Sequence, residues 1–397
     1  MRKAGVGLLT LLLIAAVALA AWSGSNHGGT KPRVTGLKAL DSTSASTARR
    51  MPAPSAPAVR TAAKAAATSS PTPTPAATLN PKHKTVPGEP GCGDSVTKSI
   101  QLTVDLLNCP GDGLIIGANN ITIDLAGFTI DGAKSDNSTG INNSKGFTGV
   151  TVQGGEIKEF DTGLAVGGKG TTNNSISGMT FTDNNTGITF SNGHSNSVTE
   201  GTFDNDGVGI VVGSDSNTIT NNDISNARPG ISLAGNGNQL SENSIRGGGN
   251  GISGTGDHNN IVENDLEGGA GSGIVLLGSG NTIDSNDIKN FGIVGIWLQQ
   301  STAVKKVSDN TLSENDVSSS GQDGILVDSD DSTIDSNSSL RNGGDGIATR
   351  GANPLIKDND ANGNGGHGIN ASGGVRGSGN SASGNNAGDC SPSELCA

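Results

Sequence analysis

Beyond residue 140 the apolar residues fall at alternate positions in short runs, each entered through a glycine. Gly209 precedes Ile210-Val211-Val212, Gly230 precedes Ile231-Ser232-Leu233, and Gly324 precedes Ile325-Leu326-Val327. A period of two is that of a β-strand with one face buried, whereas a helix would space its apolar residues three and four apart. The Gly-Ile or Gly-Leu pair recurs at Gly140, Gly163, Gly187, Gly209, Gly230, Gly251, Gly273, Gly295, Gly324, Gly346 and Gly368, at intervals of 21 to 24 residues with a single one of 29. A fixed period in this range predicts a solenoid, in which each repeat packs only on its neighbours.

A second signature, Asn-x-Ile-x-x-Asn-x-Ile, follows in the later repeats, as in Asn217-Thr218-Ile219 with Asn222-Asp223-Ile224 and Asn281-Thr282-Ile283 with Asn286-Asp287-Ile288. It predicts two further short strands per repeat. About four inward apolar side chains per turn would fill the lumen, and each coil would hydrogen-bond to the next about 4.8 Å away. The series Asn222, Asn243, Asn264, Asn286, Asn315, Asn337 and Asn359 keeps step with the coils. Amides stacked one strand spacing apart can donate and accept along the axis, so these residues are expected to be structural. The strand-start glycines are expected to serve a positive φ or a close corner.

Composition agrees with this reading. The 397 residues include 63 glycines, no tyrosine and 2% aromatics, and the hydrophobic share of 32% is thin for a conventional globular core. Glycine without a strict three-residue period excludes collagen. Charge divides the chain. Residues 1–22 carry two basic residues and no acid, residues 23–90 nine basic and two acidic, and the remainder fourteen basic and thirty-five acidic, giving +2, +7 and −21 within the net −12.

Residues 1–21 read as a signal peptide or an uncleaved signal anchor: Arg2 and Lys3 precede an apolar run, and Ala18-Leu19-Ala20 is a small-residue cleavage site. Residues 22–91 read as a disordered basic linker rich in Pro, Ser, Thr and Ala, as in Ser70-Pro71-Thr72-Pro73-Thr74-Pro75. Residues 92–397 form the repeat body. The expected location is secreted or extracellular, with surface tethering an open alternative. Membrane contact is expected only through an uncleaved leader.

The repeat pattern resembles right-handed parallel β-helix repeat proteins of the pectin-lyase-like group, including NosD-like and carbohydrate-binding or sugar-hydrolase repeats. Its opening, Cys109-Pro110-Gly111-Asp112-Gly113-Leu114 with Ile121-Thr122-Ile123-Asp124-Leu125-Ala126-Gly127-Phe128, is similar to the first coils of secreted bacterial members. The fold class is therefore all-β, a single-stranded right-handed parallel β-helix of about twelve coils of about 22 residues. Such a fold hosts many functions and transfers none. The two ends lie about 50 Å apart at roughly 4.8 Å per coil, so Cys92 is expected to pair with Cys109 and Cys390 with Cys396.

Candidate chemistry is sparse. Gly366-His367-Gly368 and Asp330-Asp331 resemble elements of polygalacturonases, in which paired carboxylates serve inverting glycoside hydrolysis. Asp330, Asp331 and His367 are accordingly the catalytic candidates, although Asp331 lies seven residues past Gly324 and His367 one before Gly368, which predicts different corners. A NosD-like role would require clustered copper ligands, and His194, His258 and His367 are too dispersed. Asp265, Asp287 and Asp316 stack in successive coils and are the candidate Ca²⁺ ligands; no other cofactor is expected. Arg246, Glu267 and Lys289 alternate in sign down another column and are expected to pair across coils. The 29-residue interval adds about seven residues at 299–307, beside Trp297. Trp297, Gln299, Gln300, Lys305 and Lys306 are the ligand-binding candidates, suited to a sugar or an acidic glycan.

The functional expectation is non-catalytic recognition of extracellular or cell-envelope polysaccharide by a monomer, with no nucleic-acid partner. A polysaccharide lyase or glycoside hydrolase acting on acidic glycans, and a purely structural or adhesive repeat protein, are the alternatives.

Overall fold

The computed structural model describes residues 88–300, 306–372 and 374–396. The expected signal segment, residues 1–21, and nearly all of the expected linker, residues 22–91, lie outside the described residues. The body winds as a right-handed parallel β-solenoid with three strand rows, here faces A, B and C. Face A is a sheet of fourteen strands, from Asp94–Val96 to Gly388–Ser391, hence thirteen turns where about twelve were expected. Faces B and C join where two long strands, Thr151–Lys158 and Ser175–Thr182, run through the corner between them; elsewhere they are separate rows, such as Thr218–Thr220 on B and Asp223–Ser225 on C. Every pairing is parallel and, apart from a register shift between Leu106 and Cys109 in the first coil, in register, for example Ile210 with Ile231, Ile219 with Leu240 and Ile224 with Ile245.

One coil shows why the sequence winds this way. Ile210, Val212, Ile219 and Ile224 point into the lumen at 0% exposure, stacked on like residues above and below. Each such aliphatic side chain contributes roughly 1.5–3 kcal/mol on burial. Larger rings occupy the lumen of earlier coils, where Phe181 and Phe203 stack with centroids 4.9 Å apart.

Corners use two devices. A residue in the left-handed region turns the chain, then an asparagine satisfies the backbone. At the corner from B to C the turning residues are Glu200, Asn221, Glu242, Glu263, Ser285, Glu314, Ser336 and Asp358, with φ between 53° and 57°. The asparagines that follow form the expected ladder: Nδ2 of Asn222 donates to Oδ1 of Asn243 at 2.9 Å, and the same contact continues through Asn264, Asn286, Asn315, Asn337 and Asn359 to Asn380. Asn380 donates onward to the carbonyl of Leu395 in the terminal turn Ser393–Cys396, so the ladder ends on the cap.

The strand-start glycines have a different cause from positive φ. A Cβ on Gly230 would stand 2.6 Å from Cγ2 of Ile245 and 2.9 Å from the carbonyl oxygen of Gly251. Close approach between coils is what excludes a side chain. Both disulfides form as expected, Cys92 with Cys109 and Cys390 with Cys396. Such bonds belong to oxidising compartments, extracellular or periplasmic. Among the described residues no helix is long and apolar enough to cross a membrane.

A second ladder, at the corner from A to B, runs Asn174, Asn196, Asn217, Asn238, Asn259, Asn281 and Asn310. It stops because the next coil places Ser332 there. Nδ2 of Asn310 is buried without a hydrogen-bond partner, while Ser332 pairs with Ser329 through their hydroxyls at 2.8 Å. A buried unmet donor costs about 1–3 kcal/mol. Ser332→Asn supplies the missing acceptor, and urea denaturation should show a gain of about 1 kcal/mol; an unchanged or lower midpoint would count against this account of the ladder's end.

Candidate functional site

The outward side of face A carries one distinctive region. Val275, Trp297, Leu326, Ala348 and Asn370 stand in register on successive strands. Val294, Leu326 and Ala348 form a small apolar cluster separate from the lumen, with Ile293 and Trp297 packed against it. Leu326 and Ala348 point outward yet are only 5% and 4% exposed. Trp297 is half-buried, and its Nε1 donates to Oδ2 of Asp328 at 2.9 Å, which fixes the indole over the cluster.

Two polar rims flank this floor. The residue before each strand's glycine forms one: Asp323, Asp345 and His367. Oδ1 of Asp323 accepts from the backbone amide of Asp345 at 2.8 Å, and Oδ1 of Asp345 accepts from the amide of His367 at 2.7 Å. Asn370 donates to the other oxygen of Asp345, and Nδ1 of His367 lies 3.6 Å from the first. Burial, reinforced by the neighbouring carboxylates of Asp345 and Asp328, pushes the Asp323 carboxyl above the ordinary carboxylate range, against the opposing pull of the Asp345 amide and the Arg350 guanidinium. The residue after each strand forms the second rim: Gln299, Asp328 and Arg350, with Nη1 of Arg350 3.5 Å from Oδ1 of Asp328.

The predicted residues divide accordingly. Trp297 belongs to the floor and Gln299 to a rim. Gln300 closes the base of the insertion, its Oε1 accepting from the amide of Val307 at 2.8 Å. Lys305 lies outside the described residues. Lys306 lies 3.2 Å from Asp330 and 3.0 Å from Asp331, and hydrogen bonds to these two carboxylates raise its ammonium above the usual lysine range. Asp331 is a left-handed corner residue with φ of 49°, held low by hydrogen bonds from Asn353 and Lys306. Asp330 and Asp331 therefore share one corner with Lys306, while His367 stands at a strand entry beside Asp345. The structure does not bring the three catalytic candidates together.

Asp265, Asp287 and Asp316 do stack in register on face C. Lys289 lies 3.5 Å from Asp265 and 3.0 Å from Asp287, and Arg246 lies 3.1 Å from Asp265, so protein cations supply the positive charge expected of a bridging ion. Asp316 accepts from the Ser338 hydroxyl. Among the described residues no group of three or more His, Cys, Asp or Glu side chains is arranged to hold a metal ion. The expected pairing of Arg246 and Lys289 with Glu267 is corrected: the column is in register, but both cations reach diagonally into the neighbouring aspartates.

Asp328, Arg350, Leu326 and Ala348 were missed by sequence reasoning. The available signal was their constant offset from the strand-start glycine. A second surface feature, a shallow groove of about 570 Å³, lies at the corner of the early coils over Gly127, Gly154 and Gly178, with Glu156 its one ionisable group.

No curated protein matches the chain in sequence. Among solved structures it is similar in fold to the Azotobacter vinelandii mannuronan C-5 epimerase AlgE6 A-module, with 11% identity, 75% of this chain and 91% of that chain covered, and a TM-score of 0.44. It is similar also to the periplasmic alginate epimerase AlgG, with 14% identity, 68% and 65% covered, and a TM-score of 0.41. The Agl-KA catalytic domain shows 12% identity, 74% and 62% coverage, and a TM-score of 0.39. The family model described as the right handed beta helix region matches residues 112–266, 208–314 and 250–391. Spanning most of the repeat body in overlapping matches, these place the chain in the right handed beta helix region family.

Proposed function

We propose that this chain is an exported or surface-tethered β-helix that binds polysaccharide along face A without cleaving it. The observation that carries this reading is the outward apolar cluster roofed by Trp297, whose indole is pinned by Asp328 and set between two polar rims. An aromatic ring held by its N–H presents a face to the carbon-bound hydrogens of a sugar, and the rims supply hydrogen-bond partners along the coil axis. Catalysis would need convergent acid and base groups. Asp330 and Asp331 are tied to Lys306 at a corner instead.

Trp297→Ala should lower retention on insoluble glycans at least tenfold, about 1–2 kcal/mol, and lower the melting transition only in part, since the indole covers Val294, Leu326 and Ala348 outside the lumen and the lumen stacking is untouched. Pull-down over a polysaccharide panel, with reducing-sugar and ultraviolet lyase assays in parallel, tests both halves. Unchanged retention would discard the site, and product release would replace the binding module with an enzyme.

A further inference from the structure

The charge around the Trp297 floor narrows the class of ligand, an inference that rests on the binding reading above. Asp323 and Asp345 form one rim and Asp328 lies on the other. The cations within reach are already engaged, Arg350 at 3.5 Å from Asp328 and Lys306 at 3.2 and 3.0 Å from Asp330 and Asp331. Asp323 uses one oxygen to accept the Asp345 amide and makes no ion pair among the described residues. Its partly buried carboxyl thus stands beside two further carboxylates with no cation at ion-pair distance, the Arg350 guanidinium acting on it only from its place against Asp328. An acidic glycan would meet this rim with like charge, and the body as a whole carries fourteen basic against thirty-five acidic residues.

We propose that the Trp297 region of face A takes a cationic polysaccharide, one whose sugars bear free amino groups. The ring's apolar side would rest on Trp297, and an ammonium would donate to the unpaired oxygen of Asp323, its charge adding to that of Arg350 against the three carboxylates. The adjacent indole adds a cation–π attraction for the same group.

The test compares insoluble polyglucosamine, its N-acetylated form and a neutral β-1,4-glucan, which share a backbone and differ in the amine, with polygalacturonate as the acidic polymer, at mildly acidic pH where the amines are protonated. Retention is expected to be at least tenfold stronger on polyglucosamine than on its acetylated form, and absent on polygalacturonate. Asp323→Asn, which keeps the acceptor for the Asp345 amide, should lower polyglucosamine retention about tenfold. Asp287→Asn, which removes the same charge on face C, should leave it unchanged. An equal fall in both variants would show a diffuse charge effect and overturn the assignment. Equal retention on the free and acetylated polymers, with Trp297→Ala still disrupting it, would overturn the amine preference and leave the binding reading standing. Retention on no polymer would overturn both.

Discussion

Replacing Asn264 with leucine should destabilise the solenoid by about 3–5 kcal/mol, although the two side chains are similar in size and the site is buried. The carboxamide, 1% exposed, serves three coils at once. Its Oδ1 accepts from the backbone amide of Asn243 at 3.0 Å and from Nδ2 of Asn243 at 2.9 Å. Its Nδ2 donates to the carbonyl of Leu240 at 3.0 Å and to Oδ1 of Asn286 at 2.9 Å. Leucine would leave the Asn243 amide unmet in a dry corner and take the Asn264 acceptor from the Asn243 carboxamide, each costing about 1–3 kcal/mol, and would interrupt a chain of mutually polarised amides. Urea unfolding of the variant, compared with Asn264→Gln, measures the loss. A cost near 1 kcal/mol would mean that the corner relaxes to admit water and that the ladder is not what holds it.

The Asn222 series and the strand-start glycines were legible because each answers a constraint imposed once per turn. Their cause was less legible. In the sequence Gly230 serves either a positive φ or a close corner, and only the position of the Gly251 carbonyl decides for close approach. The residues that do turn the corner, Glu200, Asn221, Glu263 and Ser285 among them, share a conformation and no chemistry, so no pattern marks them. The second ladder was half visible: Asn217 and Asn281 were read as strand markers, and their amide contacts depend on corner geometry.

The outward cluster was hidden for a related reason. Leu326 sits in an apolar run with Ile325 and Val327, and strand alternation alone does not reveal an outward apolar residue covered by neighbours from other coils. Asp328 looks like one of many exposed acids until the indole of Trp297 is seen to donate to it. Ion pairing on face C failed similarly, since register placed Arg246 opposite Glu267 while the length of the guanidinium arm carried it to Asp223 and Asp265. A sequence period identifies which residues share a column. Contacts between columns depend on side-chain reach and direction, which the period does not encode.

The corner from C to A supplies the most pH-sensitive prediction, because there an aspartate occupies a ladder position. Oδ1 of Asp206 accepts from the amide of Asn184 at 2.8 Å and from its Nδ2 at 3.0 Å, as an asparagine oxygen would. The donor half is missing: Oδ2 is buried without a partner, where Asn184 in the preceding coil donates to the carbonyl of Ile157. By register the carbonyl in that place for Asp206 belongs to Phe181, which a protonated carboxyl can meet and a carboxylate can only repel. Burial accordingly pushes the Asp206 carboxyl up to about 7, with Asp183 and Asp204 adding to the rise against the two hydrogen bonds from Asn184. An unfolded aspartate titrates near 3.9, so between that value and about 7 the folded chain holds the extra proton and stability falls as pH rises, levelling off above. The loss is on the order of 3–4 kcal/mol. Asp206→Asn restores the donor without a charge, and should be more stable than the parent by about that amount at pH 8 and nearly equal to it at pH 4. Melts of both proteins across this window isolate Asp206, with its coupling to Asp183 and Asp204, from the more distant carboxylates, which titrate alike in the two. A difference between them that does not grow with pH would show that Asp206 is ionised and solvated in the fold, contrary to the buried geometry of its corner.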